Sequence, residues 1–268
     1  MLNDAELGEA AALLEGAAAR LEPIEPLTDR WPELDQRDAY TIQARTISRR
    51  VAGGARRVGW KIGLTSAAMQ EQLGVDEPDF GPLLDDMDLA GKPCPNGRLI
   101  EPRVEGEIAF VMRDGLEGAG LDLEAVLAAT ERVVPAIEVI DSRIAAWRIK
   151  LADTIADHAS AAAFQVGGPG CGPRDHDLAA MEMSLKVDGD EVDSGVGAAV
   201  LGHPANALIW LAETLAPLGE RILPGDLVLA GALTASVPAR PGALVEADFG
   251  PALGTVTIRF EPKVEVES

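Results

Sequence analysis

An α+β fold, with a mainly antiparallel sheet folded over on itself and a helical N-terminal segment, is what this sequence predicts. Three observations carry it. Helical periodicity is confined to the N-terminal segment and a few later stretches; from Val58 onward short apolar runs are punctuated by Gly, Pro and Asp; and these runs lack the regular strand-helix alternation of a doubly wound sheet. The boundaries that follow are a helical segment over 1–57, packed on a single catalytic domain over 58–268.

The first helix opens at Asn3, with Glu6 as its capping partner, and Leu7, Ala10, Leu14, Ala18 and Leu21 recur at helical spacing. Asp35 caps a second, with Ala39, Ile42, Ile47 and Val51 on one face; Gly53-Gly54 stops it, because a left-handed terminus there meets no side-chain clash. Later helices are expected in "TSAAMQEQLG", capped by Thr65 or Ser66, in "DLEAVLAATERV" from Asp122, and in "HPANALIWLAETLAPLGE", with Pro204 in its first turn and Gly219 past its end. "MSLKVDGDEV" reads as a hairpin around Asp188-Gly189, and "ALVEADFGPALGTVTIRFE" as a closing strand pair.

At 47% hydrophobic over 268 residues, the chain can bury a substantial core. Its 44 acidic against 23 basic residues, formally -21, repel phosphate backbones and anionic lipid, so nucleic acid and membranes are poor partners and a cation is a better one. The N-terminus lacks the basic and apolar regions of a signal sequence, and no later stretch reaches membrane-spanning length; a soluble cytoplasmic protein is expected. Cys94 and Cys171 read as reduced loop thiols rather than a bridge or a zinc knuckle.

Charged residues inside apolar runs point to chemistry. In "EPRVEGEIAFVM" the run Val104–Met112 reads as a strand, so Glu105 and Glu107 share a face. That face is either a solvent-facing side or, since Ala109 and Val111 continue it as apolar surface, a like-charged pair that requires a cation. Glu138 stands within "VVPAIEVID" as an edge-strand glutamate, the partner of an arginine such as Arg143, or a ligand. Three glutamates on two strands would form an oxygen-donor site suited to Mg²⁺ or Mn²⁺, able to hold a chelating substrate. Lys61, in "GWKIGLTS", either snorkels from an edge strand or is a buried ammonium waiting for an anion. Asp79, between Pro78 and Phe80, is a turn-stabilising residue or a catalyst. His158, His176 and His203 are too scattered for a metal cluster, and His203 reads as a helix cap.

Together with "PAIEVIDSRIAAWRIKLADTIADHAS", "GAAVLGHPANALIWLA" and "PGDLVLAGALTASVPARPG", these segments resemble, in order and over nearly the whole chain, the hydratase/decarboxylase branch of the fumarylacetoacetate hydrolase superfamily. The resemblance implies a β-sandwich roll with flanking helices, a homo-oligomer, and a divalent-metal-dependent lyase acting on a small unsaturated 2-oxo acid in aromatic-compound meta-cleavage. Hydration of 2-oxopent-4-enoate is the first reading, decarboxylation of 4-oxalocrotonate the alternative, and carbon-carbon hydrolysis of a diketo acid the third. The family's metal pattern falls on Glu105, Glu107 and Glu138, its lysine on Lys61, and its aspartate, a candidate general base, on Asp79. Leu64, Thr65, Ser66, Phe80, His158 and Ser160, with Lys61, are the implied substrate-binding residues. Two departures stand out. Positions 233–238 read "LTASVP" where hydratases carry something like Leu-Gly-Pro-Met-Val, closer to decarboxylases and diacid-acting relatives, and His158 replaces a usual asparagine. The hydrolase reading expects a histidine base in the N-terminal part, but no histidine precedes position 158.

Overall fold

The computed structural model describes residues 1–66, 70, 75 and 77–262, so most of the expected "TSAAMQEQLG" helix lies outside the described residues. Helix α1 (Asp4–Arg20) starts with the reciprocal Asn3–Glu6 capping box and buries Leu7, Ala10, Ala11, Leu14 and Ala17. Ala18 falls off that stripe, and Leu21 is the left-handed C-cap. After the short α2 (Leu27–Arg30), helix α3 (Gln36–Ala52) is capped by Asp35 and buries Ala39 and Ile42, while Val51 stays exposed. Buried polar side chains tie these helices to the rest. The Gln43 amide donates to the carbonyls of Phe80 and Ile155 at 3.0 Å each, and Asp153 accepts from the Thr28 amide and hydroxyl at 2.9 and 2.7 Å. Among the described residues no helix is long and apolar enough to cross a membrane.

A large sheet runs in the order β2 (Asp79–Leu84), β1 (Arg57–Gly63), β8 (Leu227–Ala232), β3 (Arg103–Met112), β4 (Thr130–Ile140), β5 (Ala161–Val166), with β9 (Val237–Pro238) also on β3. Its pairs are antiparallel except β1 with β8. A smaller antiparallel sheet runs β11 (Thr255–Arg259), β10 (Leu244–Asp248), β6 (Glu182–Val187), β7 (Asp190–Val196). The β6–β7 hairpin turns at Asp188 and Gly189, whose φ of 54° and 93° are the paired positive values that a tight two-residue turn demands.

One face of the large sheet, with Val104, Ile108, Phe110, Ile137 and Val139, packs on Leu185, Val245, Ala247 and Ile258 of the small one, and Leu208 and Leu211 of α6 (Pro204–Leu215) join the same core. Gly106 permits this approach: a Cβ there would lie 2.7 Å from the Met183 methyl and 3.3 Å from the Ala247 Cβ. The opposite face carries Ala109, Val134, Ala136 and Leu229, against which Ile47 of α3 packs.

One expectation needs correction, and one further helix was not expected. Helix α4 (Leu123–Ala129) ends before the expected "TERV" turn, because Thr130, Arg132 and Val133 pair with Met112, Val111 and Phe110 of β3; strand pairing overrides local helical pattern there. The six-residue α5 (Leu151–Ala156) carries no sequence pattern long enough to announce it.

After α5 the chain makes a left-handed turn in which His158, Ala159 and Ser160 have φ of 60°, 47° and 56°. Such backbone costs L-residues roughly 1–2 kcal/mol each. Its anchors are polar and buried: Asp157 accepts from the Arg143 amide at 2.8 Å and pairs with the Arg143 guanidinium, and the Asp141 amide donates to the Ser160 carbonyl at 2.8 Å. His158 Nε2 lies 2.6 Å from the Pro82 carbonyl, the partner of a ring N–H. Burial pushes the His158 imidazole down from 6.5 to about 3, so the folded protein holds it neutral. The unfolded chain protonates it first, and stability is therefore lost as pH falls from about 6.5 toward 3, at up to about 1.4 kcal/mol per pH unit. His158→Asn keeps a side chain that tolerates left-handed backbone but does not titrate. Between pH 7 and pH 5, urea unfolding is expected to show the wild type losing about 2 kcal/mol more than the variant; parallel losses would refute a buried neutral imidazole.

Candidate active site

Strand register places the acids. Glu105 of β3 lies opposite Glu138 of β4, and Glu107 follows two residues along the same face. One carboxylate oxygen from each lies within 4.8 Å of the others. Lys61 comes from β1, three strand intervals from β4, or about 14 Å on a flat sheet. Yet its Nζ reaches to 3.4 Å from Glu138 Oε2 and donates to the Ala159 carbonyl at 2.9 Å, so the sheet curls around this face. Neither residue sits on an edge strand, and Lys61 is only 3% exposed; the snorkelling and edge-glutamate alternatives do not describe this site. Arg143 pairs with Asp157, leaving Lys61 as the cation beside Glu138.

Two glycines shape the surroundings. The β3–β8 ladder slips between Glu107 and Ala109, where Gly231, at φ 113°, turns its N–H onto Glu107 Oε2 at 2.8 Å. A Cβ at Gly231 would overlap the Thr65 hydroxyl at 2.1 Å. At Gly63, opposite Asp79 in the β1–β2 register, a Cβ would lie 2.2 Å from Asp79 Oδ1 and 3.2 Å from Lys61 Nζ. The missing side chain opens the space that both polar groups face. Thr154 Oγ1 donates to Asp79 Oδ2 at 3.4 Å and is 3.4 Å from Ser160 Oγ.

Burial dominates the electrostatics. It pushes the Glu105 carboxyl up to about 7, helped by repulsion from Glu138. Glu107 is raised well above the ordinary range by burial and by its two glutamate neighbours, while burial raises Glu138 and Asp79 against the opposing pull of Lys61. For Lys61, burial opposes the charge, but Glu138, Asp79, Glu105 and Glu107 together outweigh it and the net direction is upward. Glu107 Oε1, both Glu138 oxygens and Asp79 Oδ1 are buried without a hydrogen-bond partner. Orphaned, mutually repelling carboxylate oxygens around one small volume are the donor set of a hard divalent cation. The residues fit such an ion.

Beside them is a cavity of about 180 Å³, lined by Lys61, Leu64, Thr65, Ser66, Asp79, Glu105 and Ser160 among the expected residues. Glu107 and Glu138 do not line it themselves but come within 4.8 Å of Glu105, which does. Phe80 and His158 do not line it. Phe80 alternates with Asp79 and turns into the opposite core, stacked on Tyr40 at 4.5 Å, and His158 points at Pro82. Sequence reasoning passed over Gly63, Arg103, Trp147 and Thr154, which also line the cavity, together with Ser236 of the singled-out 233–238 segment. Arg103 was accessible, since it continues the alternation of Glu105 and Glu107 by one step; Trp147 and Thr154 come from irregular or short elements with no periodic signal.

Comparison with known proteins agrees with this architecture. Residues 93–261 match the family described as fumarylacetoacetate (FAA) hydrolase C-terminal. The chain is 44% identical over 254 residues to a 2-keto-4-pentenoate hydratase of Paraburkholderia xenovorans (strain LB400), covering 94% of both chains. It is 44% identical over 240 residues to a 2-hydroxyhexa-2,4-dienoate hydratase of Comamonas testosteroni, covering 88% of this chain and 90% of that one. Among solved structures, 4-oxalocrotonate decarboxylase from Pseudomonas putida G7, complexed with magnesium and adipate, superposes with a TM-score of 0.92 at 35% identity, over 97% of this chain and 99% of that one. The chain belongs to the fumarylacetoacetate hydrolase family, in its hydratase/decarboxylase branch.

Proposed function

We propose that this chain is a divalent-metal-dependent lyase that hydrates a small 2-hydroxydienoic acid, in its unsaturated 2-oxo form, to a 4-hydroxy-2-oxo acid, with 2-oxopent-4-enoate going to 4-hydroxy-2-oxopentanoate. The observation that carries it is the buried trio Glu105, Glu107 and Glu138, with orphaned oxygens, set against Lys61 and Asp79 at a cavity sized for a small acid. The names of the similar hydratases support the reaction. A cytoplasmic homo-oligomer belongs to the same reading.

Glu105, Glu107 and Glu138 would hold Mg²⁺ or Mn²⁺. When bound, such an ion supplies a Lewis acid for the oxygens of a 2-oxo acid. The protein's own groups do the rest. Lys61, anchored on the Ala159 carbonyl, directs its remaining donors at the substrate carboxylate and opposes the negative charge that develops near it. Asp79, oriented by Thr154 through one oxygen, keeps Oδ1 to accept the proton of the water that adds at carbon four. The Thr65 and Ser160 hydroxyls border the same space.

A second reading, decarboxylation of 2-oxohex-3-enedioate, is favoured by the close superposition on the decarboxylase. It uses the same end of the substrate, since electrons from the departing carboxylate flow toward the same keto oxygen. Carbon-carbon hydrolysis lacks support, because among the described residues no histidine lines the cavity.

Supplied separately with 2-hydroxypenta-2,4-dienoate and 2-oxohex-3-enedioate in the presence of Mg²⁺, the protein is expected to bleach the dienol chromophore without gas; CO₂ from the diacid would install the second reading. Glu107→Gln should keep the Gly231 hydrogen bond and the fold, yet abolish turnover and the rise in melting temperature on adding Mg²⁺, which at 100 times Kd is worth about 2.7 kcal/mol. Full activity in that variant, or in excess chelator, refutes the metal assignment. Asp79→Asn should retain the Mg²⁺ shift while kcat falls about 10²–10⁴-fold; an unchanged kcat removes Asp79 as the base.

A further inference from the structure

Among the described residues that line the cavity, Arg103 is the charged one that the mechanism above leaves unused. It extends the row Glu107, Glu105, Arg103 along one face of β3, and exposure rises along that row from 0% at Glu107 through 8% at Glu105 to a half-buried Arg103, so the arginine stands at the outer end. Its guanidinium is held in place: Nε donates to Ser236 Oγ at 2.7 Å, Nη2 donates to the Ser236 carbonyl at 2.6 Å, and the group lies 5.9 Å from the Trp147 ring centroid. Among the described residues it makes no ion pair, although its charge is felt at Glu105. Among the described residues Nη1 has no acceptor, and it remains for an anion. A fixed guanidinium with spare donors is a carboxylate site.

Resting on the oxo-acid reading, we infer that Arg103 binds a second carboxylate of the substrate, and that the pocket therefore favours an unsaturated 2-oxo dicarboxylic acid over a monoacid of equal length. The scale fits: one two-residue step along β3 is about 7 Å, and the four carbon-carbon bonds from keto carbon to distal carboxyl in a six-carbon diacid span roughly 5 Å. Lys61 and the glutamate trio engage the first two carbons, so monoacids still bind, but without this contact.

The test is calorimetric binding of 2-oxohexanedioate and 2-oxohexanoate, saturated compounds of one chain length, to the full protein with and without Mg²⁺. The wild type is expected to bind the diacid about tenfold tighter or more, and Arg103→Met to lose that preference while its affinity for the monoacid stays within about twofold. Equal affinities in the wild type overturn the inference. So does a parallel loss for both compounds in the variant, which would mean that Arg103 holds the first carboxylate or only the 233–238 segment. If Arg103→Met fails to fold, Ser236→Ala is expected to cut the preference severalfold by loosening the guanidinium, and an unchanged preference overturns the inference again. Binding of neither compound in a Mg²⁺-dependent way brings down the oxo-acid reading itself, and this inference with it.

Discussion

One ammonium set among four carboxylates, on the apolar inner face of a curled sheet, is the constraint to which the rest of the structure answers. An isolated ionised carboxylate in such surroundings is very costly, and Lys61 can compensate at most one of Glu105, Glu107, Glu138 and Asp79. The remaining acids must hold protons or share a cation. Apolar residues of similar volume would suit stability better, so the cluster is a chemical device inside an otherwise ordinary core. The acids hold their protons more tightly mainly because they are buried, whereas Lys61 holds its own more tightly because the surrounding negative charge outweighs burial.

The fold meets that constraint mainly through backbone. Gly106 lets the second sheet close over the back of β3 between the two glutamates it separates, Gly231 bends a ladder so that an N–H faces a carboxylate, and Gly63 clears the gap between Lys61 and Asp79. The left-handed turn at 158–160 supplies the Ala159 carbonyl to Lys61 and brings the Ser160 hydroxyl to the cavity. Its strain is offset by the buried Arg143–Asp157 pair, which is why Arg143 is committed there and not to Glu138.

Much of this was legible from period and composition. The two-residue period put Glu105 and Glu107 on one face, and the apolar run around Glu138 flagged a carboxylate that needed a partner. The same period, carried two residues back from Glu105, would have added Arg103, and applied to β2 it would have turned Phe80 away from Asp79. What no local pattern holds is which strands become neighbours. Whether Lys61 snorkels or is buried depends on β8 pairing in parallel with β1 and on the curl that brings β1 toward β4, both long-range outcomes. The inward turn of Trp147 and the left-handed run at His158 depend equally on partners far away in sequence.

Hydration and decarboxylation share their demands at the first three carbons of the substrate and diverge from the fourth outward. Up to that point both need an oxygen donor set and a cation at the carboxylate, and Glu105, Glu107, Glu138 and Lys61 can serve either; Asp79 as a base is needed only where water adds. The choice between them therefore falls to groups at the outer end of the cavity. The chain departs from the hydratase pattern within 233–238, and that segment supplies both Ser236 acceptors that fix Arg103. A sequence departure and a structural anchor thus converge on one guanidinium. A distal carboxylate held there by charge-assisted hydrogen bonds is stabilised as an anion, which disfavours its loss as neutral CO₂.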